Sequence, residues 1–73
     1  MTEVRAELIG SLWKVLTAVG ERVAVDQELM ILESMKMEIP VLAPVAGTVQ
    51  AILAAEGDIV QEGQPLLVID ESA

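Results

Sequence analysis

The chain is built from two similar halves. Shifted by 37 residues, the distance from Gly10 to Gly47, the sequence aligns with itself without a gap over residues 4–34 and 41–71. The identical pairs are Val4/Val41, Ala6/Ala43, Gly10/Gly47, Leu16/Leu53, Ala18/Ala55, Gly20/Gly57, Val23/Val60, Gln27/Gln64 and Leu29/Leu66. Because glycines and apolar positions recur together, we interpret the halves as two copies of one supersecondary unit.

Each copy carries the turn signals and short apolar runs of β-strands. Gly20-Glu21 and Gly57-Asp58 mark turns. Five glycines and three prolines at short intervals disfavour helices. The predicted strands end at Gly10 or Gly47, cover 11–18 or 48–55, lie around Val23 or Val60, and cover 29–32 or 66–69. This spacing predicts an all-β fold, a sandwich or a barrel, with the two copies related by a quasi-twofold axis.

The composition is that of a small aliphatic core in one domain, residues 1–73. The chain has no cysteine and no histidine, which excludes disulfide bridges and Cys/His zinc sites. Hydrophobic residues make up 53% of the chain, yet Trp13 is the only aromatic one. Val and Ile pack well on pleated, half-buried surfaces, so an aliphatic barrel or sandwich fits this composition.

The charge excludes several classes of partner. The net charge of −8 opposes binding to nucleic acids and to anionic membranes, which both attract Lys and Arg. It serves solubility or attracts basic faces of partner enzymes.

No apolar run reaches the roughly 18 residues of a membrane span, and the first residues lack the basic region of a signal peptide. We therefore expect a cytoplasmic protein.

The segment that joins the copies, residues 35–40, holds one of only two lysines. A tight hairpin there would place Met35 and Lys36 at its tip and the Lys36 amine in water, where a modifying enzyme could reach it. Met and Lys are unusual choices for a turn that normally recruits Asn or Gly, which suggests a functional constraint. The alternative is an ordinary strand, with Lys36 pointing outward between two inward methionines.

The sequence resembles the biotinyl/lipoyl attachment domains, and most closely the free-standing biotin carboxyl carrier proteins of bacteria. The resemblance covers nearly the whole chain and centres on Glu33-Ser34-Met35-Lys36-Met37-Glu38, where the family usually has Glu-Ala-Met-Lys-Met. Supporting segments are Ala43-Pro44, Gly47-Thr48-Val49, Glu56-Gly57-Asp58 and Glu62-Gly63-Gln64-Pro65-Leu66. The resemblance implies a flattened barrel-sandwich hybrid of two four-stranded antiparallel sheets, with the modified lysine on a protruding hairpin.

The resemblance also implies a function. A biotin protein ligase would attach biotin covalently to Lys36, and Glu33, Ser34, Met35, Met37 and Glu38 would form the recognition surface. The carrier would then move a carboxyl group from a biotin carboxylase to a carboxyltransferase that acts on an acyl-CoA. It would have no catalytic residues and no metal of its own. Glu33 and Glu38 accordingly indicate ligase recognition or solubility and not acid–base catalysis.

Two alternatives remain open, and two residues depart from the family pattern. A lipoyl carrier shares the fold but generally has Asp-Lys-Ala at the turn, and an unmodified module of the kind found in efflux adaptors usually lacks the lysine. Ser34 replaces the usual Ala, a small change that should be tolerated. Asp26 stands where the second copy has Gly63, so it should adopt a left-handed conformation. Trp13 aligns with Gln50 and should face outward, covering the sheet or touching a partner.

Overall fold

A computed structural model describes residues 1–72, and the predicted domain limit at Ala73 lies outside the described residues. Eight strands follow one another along the chain. They are β1 (Thr2–Arg5), β2 (Gly10–Val15), β3 (Arg22–Val23), β4 (Glu28–Ser34), β5 (Met37–Leu42), β6 (Gly47–Ile52), β7 (Ile59–Val60) and β8 (Pro65–Asp70). No helix in the described part of the chain is able to cross a membrane.

The strands form two four-stranded antiparallel sheets, which confirms the predicted fold class. The first sheet has the order β1-β8-β6-β3 and the second the order β5-β4-β2-β7. Each half of the chain therefore supplies two neighbouring inner strands to one sheet and two outer strands to the other. The halves are interlocked, and neither sheet is complete without strands from both.

The repeat is visible in the strand pairing as well as in the sequence. Strand β2 shifts register between Leu12 and Lys14, and strand β6 shifts between Val49 and Ala51. The extra residues at these two bulges are Trp13 and Gln50, which align in the repeat. Trp13 faces outward as predicted and is 44% exposed.

Backbone hydrogen bonds between the halves come in matched pairs. The Gly20 N–H donates to the Val49 carbonyl at 2.8 Å, and the Gly57 N–H donates to the Leu12 carbonyl at 2.7 Å. Similarly, the Asp26 N–H donates to the Ala43 carbonyl, and its aligned residue Gly63 donates to Ala6, both at 2.8 Å. These bonds fasten the turns of one half to the strands of the other, or to the residue that directly follows a strand.

The core consists of aligned pairs from the two halves. The most deeply buried side chains are aliphatic and include Leu12/Val49, Leu29/Leu66, Met30/Leu67, Leu32/Ile69 and Val23/Val60. Burying a side chain of this size stabilises a protein by roughly 1.5–3 kcal/mol. An aliphatic core between two sheets therefore replaces the disulfide or metal that the sequence lacks.

The strand limits differ from the prediction in a regular way. Strand β1 ends at Arg5, well before Gly10, because the chain must cross from one sheet to the other before β2 begins. The second strands end at Val15 and Ile52, earlier than predicted, since the chain turns away after Leu16 and Leu53 each donate one bond to the opposing strand. The last strands are longer than predicted. Pro40 lies in β5, which is an edge strand, where a residue without an N–H is tolerated.

Asp26 adopts the left-handed conformation that its alignment with a glycine predicts. Its φ is 68°, close to the 81° of Gly63. The turn is closed in both halves by a glutamine: Gln27 Oε1 accepts from the Ala24 N–H, and Gln64 Oε1 accepts from the Gln61 N–H, both at 3.0 Å. The aspartate therefore replaces glycine without loss of the turn's hydrogen bonds.

Gly10 and Gly47 permit close contact between strands, and alanine at either position should be strongly destabilising. A Cβ would lie 2.6 Å from the Glu33 carbonyl oxygen at Gly10 and 2.6 Å from the Asp70 carbonyl oxygen at Gly47. We expect Gly10→Ala and Gly47→Ala each to lower the free energy of unfolding by about 2 kcal/mol, as overpacking does. Urea unfolding followed by Trp13 fluorescence measures this. A loss at only one of the two sites would contradict their equivalence.

Replacing Thr17 by an apolar residue of similar size should make the folded protein more stable. Its side chain is buried, and its hydroxyl has no hydrogen-bond partner within residues 1–72, whereas the aligned residue is Ala54. An unpaired buried hydroxyl costs about 1–3 kcal/mol. Thr17→Val should therefore raise the free energy of unfolding by about 1 kcal/mol. Thr2→Val is the control, because the Thr2 hydroxyl donates to Glu71 at 2.6 Å and its removal should bring no gain.

Candidate functional site

Met35 and Lys36 form a two-residue turn between β4 and β5. Ser34 pairs with Met37, Glu33 with Glu38 and Leu32 with Ile39, so the hairpin has no irregularity near its tip. The predicted tight hairpin is confirmed, although the connecting segment is shorter than residues 35–40, because β5 already begins at Met37. The alternative of Lys36 within a continuous strand is wrong.

Both turn residues have a positive φ, 53° at Met35 and 64° at Lys36. This is the backbone of a type I′ turn, which matches the twist of the two strands but suits Asn and Gly far better than Met and Lys. The left-handed region costs an ordinary residue roughly 1–2 kcal/mol. The surrounding sheet holds the turn in this conformation against the preference of its own residues.

The turn presents its side chains to solvent. Met35 is 91% exposed and Met37 63% exposed, and Lys36 is exposed between them. Within residues 1–72, no carboxylate forms a salt bridge with the Lys36 amine. An amine in this position is accessible from several directions and is flanked by flexible, polarisable apolar surface.

Ser34 ties the base of the hairpin to the β1–β2 connection. Its hydroxyl donates to the Ile9 carbonyl at 2.8 Å, and the side chain is buried. The usual alanine of the family could not make this bond. Ser34 faces inward, so its direct contribution is to hold the hairpin, whereas the other four predicted recognition residues are exposed.

Glu33 and Glu38 lie directly opposite each other on neighbouring strands, and both are exposed. Like charges in such a pair destabilise a sheet. Two opposed carboxylates beside the turn form a negative surface that fits a basic group on a partner protein. Together with Met35 and Met37, they surround Lys36, so the structure brings every predicted site residue into one hairpin.

The second lysine has a different setting. Lys14 lies on β2, and its Nζ is 5.4 Å from the centroid of the Trp13 ring. A cation at this distance over the face of an aromatic ring is held by the ring's quadrupole. Lys14 is thus part of an ordered sheet surface, whereas Lys36 is at the tip of a turn.

Comparison with known proteins agrees with this geometry. Residues 2–69 match a family model described as biotin-requiring enzyme. This chain belongs to the biotin/lipoyl attachment family. The members of this family are carrier domains, non-catalytic modules of biotin- and lipoyl-dependent enzymes.

Individual relatives of this carrier domain cover it almost entirely. It is 45% identical over 69 residues to a biotin/lipoyl attachment protein of Bacillus subtilis, with 94% of both chains covered. It is 47% identical over 64 residues to a biotin carboxyl carrier protein of Streptococcus mutans, with 88% of this chain and 49% of that one covered. The crystal structure of the Kluyveromyces lactis urea carboxylase matches with a TM-score of 0.89 and 36% identity, covering 94% of this chain and 6% of that one.

Sequence reasoning missed Ile9. It is 55% exposed, and the Ser34 hydroxyl brings its backbone against the hairpin from 25 positions earlier in the chain. Ile9 aligns with Ala46, so the repeat gives no sign of a special role at this position. Only the folded arrangement places it beside the turn.

The strain in the turn predicts that Met35→Asn will stabilise the carrier domain. Asparagine tolerates the positive φ of Met35 better than methionine does, so we expect a gain of about 1 kcal/mol in the free energy of unfolding. Urea unfolding measures the gain. Asp26→Gly is the matched control, because Asp26 also has a positive φ but lies in another turn.

The same two variants separate stability from recognition. If Met35 is held in a strained conformation because a modifying enzyme contacts it, Met35→Asn should slow enzymatic modification, and Asp26→Gly should leave it unchanged. Equal rates of modification for both variants and the parent protein would show that Met35 is not recognised.

Proposed function

We propose that this chain is a biotin carboxyl carrier and that Lys36 is the residue to which biotin is attached. The observation that supports this most strongly is the type I′ turn that exposes Lys36 between Met35 and Met37. Its fit to the cofactor is chemical: attachment requires a primary amine that can enter an enzyme's active site, and Lys36 is solvent-exposed and free of salt bridges among residues 1–72.

The attachment is an acyl transfer to nitrogen. The Lys36 Nζ attacks the carbonyl carbon of biotinyl-adenylate, the C–N bond of an amide forms, and the bond to AMP breaks. An ammonium group has no lone pair for this attack, so the biotin protein ligase must accept a proton from Nζ. The product is neutral, which removes one of the chain's four basic charges.

The exposed residues around Lys36 are suited to recognition by the ligase. Glu33 and Glu38 present two opposed carboxylates on the outer face of the hairpin. Met35 and Met37 present apolar surface directly beside the amine. Because the sheet fixes the hairpin in one conformation, docking costs little ordering entropy.

Biotin supplies a carrier for a carboxyl group between two active sites. The chain contributes a rigid attachment point, so that the tethered group reaches a biotin carboxylase and a carboxyltransferase at high effective concentration. The acyl-CoA specificity we expect would belong to the carboxyltransferase. A relative described as a biotin carboxyl carrier protein supports this role.

The competing candidate is a lipoyl carrier. The name of the Bacillus subtilis relative includes both groups, which favours keeping lipoylation as a second outcome. The methionine on each side of Lys36 favours biotin, since the lipoyl domains that this sequence resembles generally have Asp-Lys-Ala at the turn.

Substitution of the two lysines tests the proposal. Lys36→Arg keeps the charge but removes the nucleophile, so it should abolish labelling by a biotin protein ligase. Lys14→Arg is the matched control and should be labelled at the parental rate, because Lys14 lies over Trp13 on the sheet surface. Intact mass and streptavidin blotting measure the outcome in both variants.

The same measurement separates the alternatives. A mass increase without streptavidin binding would indicate lipoylation. Labelling that persists in Lys36→Arg and disappears in Lys14→Arg would overturn the assignment of the hairpin. Circular dichroism should show the same β-sheet spectrum for both variants, since both side chains are exposed.

A further inference from the structure

A groove runs along the open side of the sandwich between edge strands β1 and β5. Both strands are terminal in their sheets, so no strand among residues 1–72 covers this side. The groove has a volume of about 290 Å³, just below the roughly 300–1,000 Å³ of small-ligand sites. Its floor and walls include Val4, Leu8, Leu32, Ile39, Pro40 and Val41.

The groove has a mixed lining, with apolar side chains along much of it and the charged side chains of Glu3, Arg5 and Glu7 on one side. It therefore fits a neutral occupant that has both apolar and polar parts. Leu8 and Val41 are half-buried and pack against the core, and Leu32 closes the floor. Charged groups are confined to the β1 side. Among these, Arg5 forms an ion pair with Glu3 and donates to the Gly63 carbonyl at 2.8 Å. A charged ligand would have to displace these contacts, whereas a neutral one would not.

The groove begins close to Lys36. Strand β5 leaves the turn directly, and at about 3.3 Å per residue Ile39 lies roughly 10 Å along the strand from Lys36 and Leu42 roughly 20 Å. Leu8 is at the same end, because the carbonyl of the next residue, Ile9, accepts the bond from Ser34. The hairpin end of the groove is therefore formed by Glu7, Leu8, Ile39 and Pro40.

An arm attached to Lys36 is long enough to reach this end. The lysine side chain and the five-carbon acyl chain of biotin together contain about ten single bonds, which span roughly 13 Å when staggered. That distance places the bicyclic ring at the end of the arm beside Ile39 and Pro40. The arm is neutral throughout: its methylenes and thioether ring suit the apolar side chains of the groove, and the ureido group at its end can form hydrogen bonds on the polar side.

We propose that the hairpin end of the β1–β5 groove is a resting site for the prosthetic arm carried by Lys36. This inference rests on the proposed function and adds a location for the arm between its visits to the two enzymes. Docked in the groove, the arm is withdrawn from solvent, and the fraction of free arm sets how readily an enzyme captures it. The occupant is the chain's own arm, and not a second copy of the chain or an extended peptide.

Nuclear magnetic resonance of the biotinylated protein tests this inference. Intact mass and streptavidin binding first establish that Lys36 carries biotin in the sample. Nuclear Overhauser contacts are then expected between the arm and the methyl groups of Leu8 and Ile39, together with shifts of their amides relative to the unmodified protein. Shifts confined to residues 34–38 in a fully biotinylated sample would overturn the resting site while leaving the proposed function intact.

A repeat-matched pair of variants controls for structural effects. Leu8→Ser should abolish the contacts between the arm and Ile39. Val45→Ser should leave them unchanged, because Val45 aligns with Leu8 and also packs against the core, but lies outside the groove. Loss of the contacts in both variants, or in neither, would contradict the proposal.

Two further outcomes have fixed meanings. Shifts of groove residues that grow with protein concentration in the unmodified protein would assign the groove to a second copy of the chain. If the ligase does not modify Lys36, a biotin reagent coupled to Lys36→Cys supplies the arm, since the chain has no other cysteine. Absence of groove contacts in that conjugate would then also overturn the resting site.

Discussion

The exchange of strands between the two halves is the constraint on which the structure depends. Strands β1 and β3 belong to the first half but complete the sheet of β6 and β8, and β5 and β7 do the reverse for β2 and β4. Because β5 must lie beside β4, the segment that joins the halves never leaves its sheet. It can therefore be as short as two residues, Met35 and Lys36. The tight hairpin is a consequence of the interlocked topology.

The paired strands hold the hairpin rigid, so its turn keeps a backbone conformation that its own residues disfavour. Residues with a positive φ cost stability when they are not Asn or Gly, and opposed carboxylates at Glu33 and Glu38 add repulsion. Neither feature improves packing. Both become understandable if the hairpin is shaped by the enzymes that must bind it, and the buried Ser34 hydroxyl then offsets part of the cost by holding the base of the hairpin in place.

Most of the fold could be predicted from the sequence, because the repeat places equivalent strands and turns in both halves. Alignment of the halves predicted the succession of strands along the chain, the outward Trp13 and the left-handed Asp26, and the unrepeated segment predicted the turn. What it could not predict depends on contacts between distant residues. Strand β1 is shorter than predicted because residues 6–9 cross between the sheets. Ser34 faces inward because its hydroxyl bonds to the Ile9 carbonyl. The β1–β5 groove forms only when two strands that are far apart in the chain face each other.

The central claim is that this topology selects one amine for acylation. Peptide mapping by tandem mass spectrometry, on protein purified from the cell that makes it, tests the claim without any substitution. The account predicts one modified peptide, with the mass of biotin in amide linkage on Lys36 and an unmodified Lys14. A modification located on Lys14, or a fully unmodified Lys36 in cells with an active biotin protein ligase, would contradict it.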